Sequence, residues 1–395
     1  MRRDLVLLTA GRALSTMGSE VAVVALLLRL HDEGADSWAV ASLLAAGTVP
    51  LALAAPLAGW LADTVDGRLL IAISSLWQAF LCALLAAVHD PVLLLALVAL
   101  NATASAVTGP AFVTVLVRSV PPPRFAAATS MQQGANMVAV LAGPPMGGML
   151  TGLTGGATVP LWADAVTFLA LASICLTIRA GQPVPTGGRT RWHGGFTVLT
   201  TDRPITVIVG LLVVLILIGE GVSVAEVFLV RDSFGASTTA FGLLTAVFNG
   251  GALVGTVLSG GIATPARALL TVVSASVGMA AGLVGVGLAG NLAEVFICYA
   301  CAGVGAGVVN VAATTLIMLR APKPVVGRVQ AALNGLLRTA GMGALGLGGL
   351  ATGFFPPATV FLLSGTAIAL AVIAALAVLP VRSDAPGPHQ SAPLP

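Results

Sequence analysis

The chain has 395 residues, of which 57% are hydrophobic and only 18 basic and 15 acidic. A soluble domain is about a quarter charged; at 8% charged and a mean hydropathy of +1.02, this chain cannot cover a water-facing surface and needs a bilayer as solvent. A formal net charge of +3, spread over short loops, leaves no footprint for nucleic acid.

A helix crossing the hydrocarbon core takes about 20 mostly apolar residues, and the apolar runs here are far too long for barrel strands. The pattern predicts an all-α membrane protein with twelve helices near 5–30, 38–62, 69–88, 91–117, 125–153, 159–179, 204–230, 238–263, 268–289, 292–319, 328–354 and 357–380. The start, MRRDLVLL, reads as an uncleaved first helix, because the run after it contains Arg12 and Glu20 and leads into further spans. GQPVPTGGRTRWHGG has linker composition at mid-chain, and VRSDAPGPHQSAPLP reads as a disordered tail. The expected division is a six-helix bundle over 1–180, a linker over 181–203, a second bundle over 204–380 and a tail over 381–395.

Ionisable residues within spans usually face a cavity or a partner. In span one, Arg12, Ser15, Thr16, Ser19 and Glu20 share one helical face, which is expected to point inward. Glu220, in LIGEGVS, lies at similar depth in span seven. Span four adds Asn101, Ser105 and Thr108, and span ten adds Asn310 and Thr314. A carboxylic acid in a partly dry cavity can exchange protons near neutral pH. Glu20 and Glu220 are therefore candidates for proton coupling or for holding a cationic substrate, and Arg12 for pairing with an acid or an anionic group. Glu226 ranks lower, since six residues turn it about 120° from Glu220. The plainer reading of these charges, and of Asp164 and Arg338, is ion pairing or snorkelling that fixes helix packing. Cys298 and Cys301 form a CxxC with no second ligand pair and read as buried small apolar residues, so no metal is expected. The four histidines fall in loops or the tail, leaving none as an intramembrane relay.

Fourteen of the 18 basic residues fall in alternate loops on the side of the termini, and the opposite loops hold none. Both termini are expected in the cytoplasm. Between two uncharged runs on that side lies GWLADTVDGR, with Gly59, Asp63, Asp66 and Arg68; it is either a solvated turn or a contact. Equivalent stretches recur about 200 residues apart, pairing Arg29 with Arg231, Gly59 with Gly260, and Gly134 with Gly335.

Two six-helix halves, GWLADTVDGR between spans two and three, GPPMGG at 143–148 and VVGRV before span eleven resemble the major facilitator superfamily of secondary transporters over nearly the whole chain. In that superfamily the loop signature has an arginine where Thr64 stands and further basic residues around Asp66, Gly67 and Arg68. The resemblance implies that Gly59, Asp63, Asp66 and Arg68 form a cytoplasmic gate with the start of span eleven, near 326–331, and that spans one, four, seven and ten line the cavity. Gly143, Pro144, Gly147 and Gly148 look like the antiporter signature of exporters, although Ala139 and Ser130 stand where glycines are expected; as packing chemistry alone they mean a bend and close helix contact.

No phosphate-cradling loop, nucleophile elbow or HExxH is present, so neither ATP hydrolysis nor catalysis is expected, and no cofactor. The sequence points to a monomeric, proton-coupled exporter of a small organic compound, such as a drug or secondary metabolite, in a bacterial plasma membrane. The expected partners are a small-molecule substrate, protons and the lipid bilayer, with no nucleic acid. Its alternatives are an importer or facilitator with the same fold, or a non-transporting receptor or assembly partner.

Overall fold

The computed structural model describes residues 2–120, 125–177, 199–261, 264–321 and 326–378. Most of the expected linker and all of the expected tail lie outside the described residues. The helices are α1 (Arg2–Asp32), α2 (Ser37–Leu53), α3 (Ala55–Thr64), α4 (Gly67–Ala87), α5 (Pro91–Ser119), α6 (Phe125–Thr154), α7 (Thr158–Thr177), α8 (Arg203–Phe228), α9 (Thr238–Leu258), α10 (Pro265–Leu288), α11 (Leu292–Arg320), α12 (Val326–Phe354) and α13 (Pro357–Val378). Ten of the described helical spans are long and apolar enough to cross a membrane. The 17-residue α2 is shorter and joins α3 as the second span, and the glycine-rich α12 has 29 residues. Among the described residues, twelve spans result.

The second span breaks because TVPLALAAP carries Pro50, which donates no amide proton, and Pro56, which starts a new helix in its first turn. α8 runs on into a π-helical turn over Leu229–Ser233. The few polar loop residues are spent on caps: Asp36, Asp66, Asp90, Asp202, Ser237, Thr264 and Asn291 each accept a hydrogen bond from an amide of the first turn that follows. Asp36 and Ser237 lie 201 residues apart, as do Asp90 and Asn291. So do Gly34 and Gly235, whose φ of 76° and 58° need glycine. The internal repeat is thus written in turn chemistry as well as in sequence.

The packing repeats too. In the first half α1 packs on α6 and α7, α4 on α5 and α7, and α2 on α5; in the second α8 packs on α12 and α13, α10 on α11 and α13, and α9 on α11. Two seams cross between the halves, α6 with α9 and α2 with α12, and a twofold rotation exchanges them. The architecture is two pseudo-symmetric six-helix bundles. Their outward surfaces carry exposed Phe80, Leu153, Ile297 and Leu370, the reverse of a soluble protein.

The crossing contacts gather at the end far from the termini. Ser37 Oγ donates to Gly349 O at 2.9 Å. A side chain at Gly148 would run into the Thr238 carbonyl, and one at Gly242 into that of Pro144. Arg231 reaches Asp32 Oδ1 at 3.0 Å, and His31 Nε2 lies 2.7 Å from Asp232 Oδ1 with Phe228 against its ring. At the terminal end, by contrast, a Cβ on Gly59, Gly134 or Gly335 would meet nothing within 4 Å. Among the described residues, the bundle is closed at the far end and open at the terminal end.

Candidate functional site

A cavity of about 350 Å³ opens inside the second half, walled by α8, α9, α10, α11 and α12. Close helix packing shapes its back: Gly251 and Gly255 of α9 lie on the backbone of Ala300 and Val304, and Gly303 and Gly307 of α11 on that of Phe248 and Ala252. This approach turns Thr245 and Tyr299 toward α8. The Tyr299 ring is fixed by Phe248 and Phe361, at centroid distances of 4.9 and 6.0 Å.

Between them sits Glu226, only 6% exposed. Thr245 Oγ1 donates to its Oε1 at 2.8 Å and Tyr299 OH to its Oε2 at 3.1 Å. One carboxyl thereby ties together three helices of the second half. Glu220, six residues earlier and about 9 Å along the axis, lines the same cavity on the side of α12, where Gly341 leaves room for it. The cavity wraps around α8, so both acids border it despite their angular separation. Unlike Glu226, Glu220 is exposed to the cavity, and its carboxylate has no hydrogen-bond or ion-pair partner among the described residues. Asn249 and Asn310 add amides; the remaining wall is largely apolar, with Leu212, Ile216, Met279 and Leu337.

The other expected cavity residues lie elsewhere. Glu20 packs its side chain over Gly143 in the seam between α1 and α6 and is not in the cavity wall. Thr16 donates to Asn136 Oδ1 of α6 at 3.2 Å. Ser15 is buried, and Ser19 bonds its carbonyl at 3.1 Å and also the carboxyl of Asp164. The polar face of α1 is therefore spent on α6 and α7 instead of on one open pocket. In α5 the expected stripe faces α4: Gln78 donates to Ser105 Oγ at 2.7 Å, and Thr108 lies 3.4 Å from Ser74. Asn101 is half-buried, and neither it nor Thr314 is in the wall; Asn310 is. Arg12 is half-buried and in no ion pair among the described residues.

Asp164 is 1% exposed, with Cys82 Sγ at 3.4 Å and Thr167 Oγ1 at 3.3 Å, in the seam of α1, α4 and α7. Cys301 is exposed and Cys298 half-buried against Gly285, so the CxxC is not the buried pair expected; both thiols are free. Asp66 caps α4 and pairs with Arg68 at 3.1 Å. Asp63 lies in the last turn of α3, but its side chain and those of 322–328 fall outside the described residues. Gly59 is in open space, not in the close contact expected of it, because the halves are apart at this end. Gly143 and Gly147 press on Met17, Glu20, Val21 and Val24 of α1, while Pro144 and Gly148 meet α9: the proline–glycine motif is a seam with two faces.

Thr245, Tyr299 and Asn249 escaped the sequence reading. The available signal was Tyr299 itself, the single tyrosine of the chain, whose hydroxyl needs a partner in the middle of an apolar span.

The model of the Major Facilitator Superfamily matches residues 8–346. The chain belongs to this superfamily. Among solved structures, the superfamily member aligns with the nucleoside transporter NupG at 13% identity and a TM-score of 0.76, covering 95% of this chain and 98% of that one. It aligns with a bacterial homolog of the human lysosomal transporter Spinster, in an inward-facing and unoccupied conformation, at 15% identity and a TM-score of 0.69, over 95% of each chain. A POT family transporter in complex with a thioalcohol-conjugated peptide aligns at 12% identity and a TM-score of 0.70, over 95% and 96%. At such identities the likeness shows the fold. No curated protein matches in sequence. The membership makes the protein a multi-pass membrane transporter.

Proposed function

We propose that this secondary transporter is a proton-coupled exporter of a small organic compound, working by alternating access in a bacterial plasma membrane with both termini in the cytoplasm. One observation carries the reading: a buried carboxyl, Glu226, held by Thr245 and Tyr299 in the wall of a cavity of small-molecule size. A carboxylate there accepts both hydroxyl hydrogen bonds; a protonated one offers a hydrogen of its own, so proton binding reorganises the link between α8, α9 and α11. With the basic loops inside, the open end faces the cytoplasm, where an exporter loads. The direction of transport is supported by GPPMGG, which resembles the exporter signature and lies in the seam that closes the far end. When that seam opens, Asp63 and its neighbours would meet the start of α12 and shut the inner side.

The test is flux in proteoliposomes under an imposed pH gradient, with compounds chosen from a susceptibility panel on cells with and without the protein, repeated with an uncoupler. Export driven by the gradient, and its loss in Glu226→Gln, is expected; accumulation of the compound inside cells, or flux indifferent to the gradient, overturns the reading.

A further inference from the structure

The cavity also speaks to what is carried, an inference that rests on the transport reading above. Its two acids differ. Glu226 is buried and satisfied by two donors, whereas Glu220 reaches into open space and is bound to nothing among the described residues. Among the described residues, no lysine, arginine or histidine lines the cavity. Arg338 follows Leu337 on α12 but is not in the wall, and Arg12 belongs to the other half. A carboxylate in a recess with mostly apolar walls attracts a positive charge and penalises a negative one.

We infer that the cavity takes a monovalent organic cation with an apolar body: the charged head, a protonated amine or an onium group, pairs with Glu220, and the body lies on Leu212, Ile216, Met279 and Leu337. A proton on Glu226 leaves Glu220 to attract the ligand; once that proton leaves, the Glu226 carboxylate is still held by the Thr245 and Tyr299 hydroxyls, and Glu220 alone pairs with the single positive charge. The volume of about 350 Å³ is at the lower end of the range for drug-sized ligands. The two acids are about 10 Å apart, so a cation at one and a proton at the other oppose each other by roughly tenfold at the effective dielectric of protein sites. Cation loading therefore expels a proton, which is the exchange an antiporter needs.

The experiment uses two probes of matched size and opposite charge, tetraphenylphosphonium and tetraphenylborate, and the full chain in nanodiscs, with empty nanodiscs subtracted. Tetraphenylphosphonium should bind saturably, release protons and weaken as pH falls, and tetraphenylborate should not bind specifically. Glu220→Gln should weaken phosphonium binding about tenfold, while Glu220→Asp, which keeps the charge, should retain the preference for phosphonium and guards against a misfolded variant. Equal or tighter borate binding, no binding of either probe, or phosphonium binding unchanged in Glu220→Gln overturns the inference. Phosphonium binding through Glu220 without gradient-driven flux would instead overturn the transport reading and uphold the cation site.

Discussion

At the scale of single residues, the second half of the molecule is organised around one carboxyl. Glu226 accepts from a hydroxyl on α9 and from one on α11, and the carboxyl itself is buried. Removing a donor from a buried charged acceptor costs about 2 kcal/mol. Tyr299→Phe should therefore lower the unfolding temperature in detergent, with the larger loss in alkaline buffer, where the carboxyl is ionised, and a smaller one in acid; a loss independent of pH would mean that only ring packing matters. Thr245→Val should behave alike, and the double variant should be less than additive, since both act on one group. The sequence favours Glu20 and Glu220 over Glu226 because helical angles on α8 are legible, whereas how far a cavity wraps around α8 is a property of its neighbours. The same blindness affects Glu20: a glycine on α6 draws it into a seam that spacing on α1 cannot reveal.

Among elements, the spans were legible to within a few residues at each end because the bilayer fixes their length, and the capping residues then fix their ends. The break after Leu53 and the π turn after Phe228 were not, since both depend on local backbone satisfaction that hydropathy ignores. Polar stripes identify faces that need a partner but not which partner; on α5 it is Gln78 of α4, not a cavity. The proline–glycine segment of α6 has the opposite character, for its small residues admit the backbone of α9 at Gly242 and Gly148. Gly242→Ala places a methyl group against the Pro144 carbonyl, where neither backbone can yield. Overpacking of this kind costs about 1–3 kcal/mol, so the closed far end should lose at least about fivefold in population relative to the open one. The check is a cysteine at Asn249, in the cavity, in a background with the four native cysteines replaced by alanine. In intact cells it should react faster with an impermeant maleimide when Gly242→Ala is present. Unchanged labelling would show that the seam is not what holds this end.

For the whole molecule, the asymmetry between its two ends defines the working cycle. The far end is held by helix seams and by the pairs Arg231–Asp32 and His31–Asp232, whose carboxylates are 47% and 58% exposed. An exposed ion pair such as Arg231–Asp32 contributes only about 0.5 kcal/mol, so Asp32→Asn should raise the open-to-closed ratio of this end about twofold, and high salt should erase the difference. The terminal end carries the charged stretch GWLADTVDGR. Asp66 is engaged as a cap; in the proposed gate, Asp63, in the last turn of α3, is the acid that would meet the N-terminal turn of α12 once the halves close there. A carboxylate at such a helix start contributes about 1 kcal/mol, enough to move a balanced two-state equilibrium about fivefold. Spin labels at Gly134 and Gly335, in opposite halves and in open space in this conformation, report the separation directly. Their distance distribution should show a short component when the terminal end closes, and Asp63→Asn should shrink it about fivefold and slow transport while surface expression holds. If the short component and the transport rate both survive Asp63→Asn, the stretch is a solvated turn, and the lock on this side must be sought in the seams that replace α6–α9 and α2–α12 when the bundle rocks.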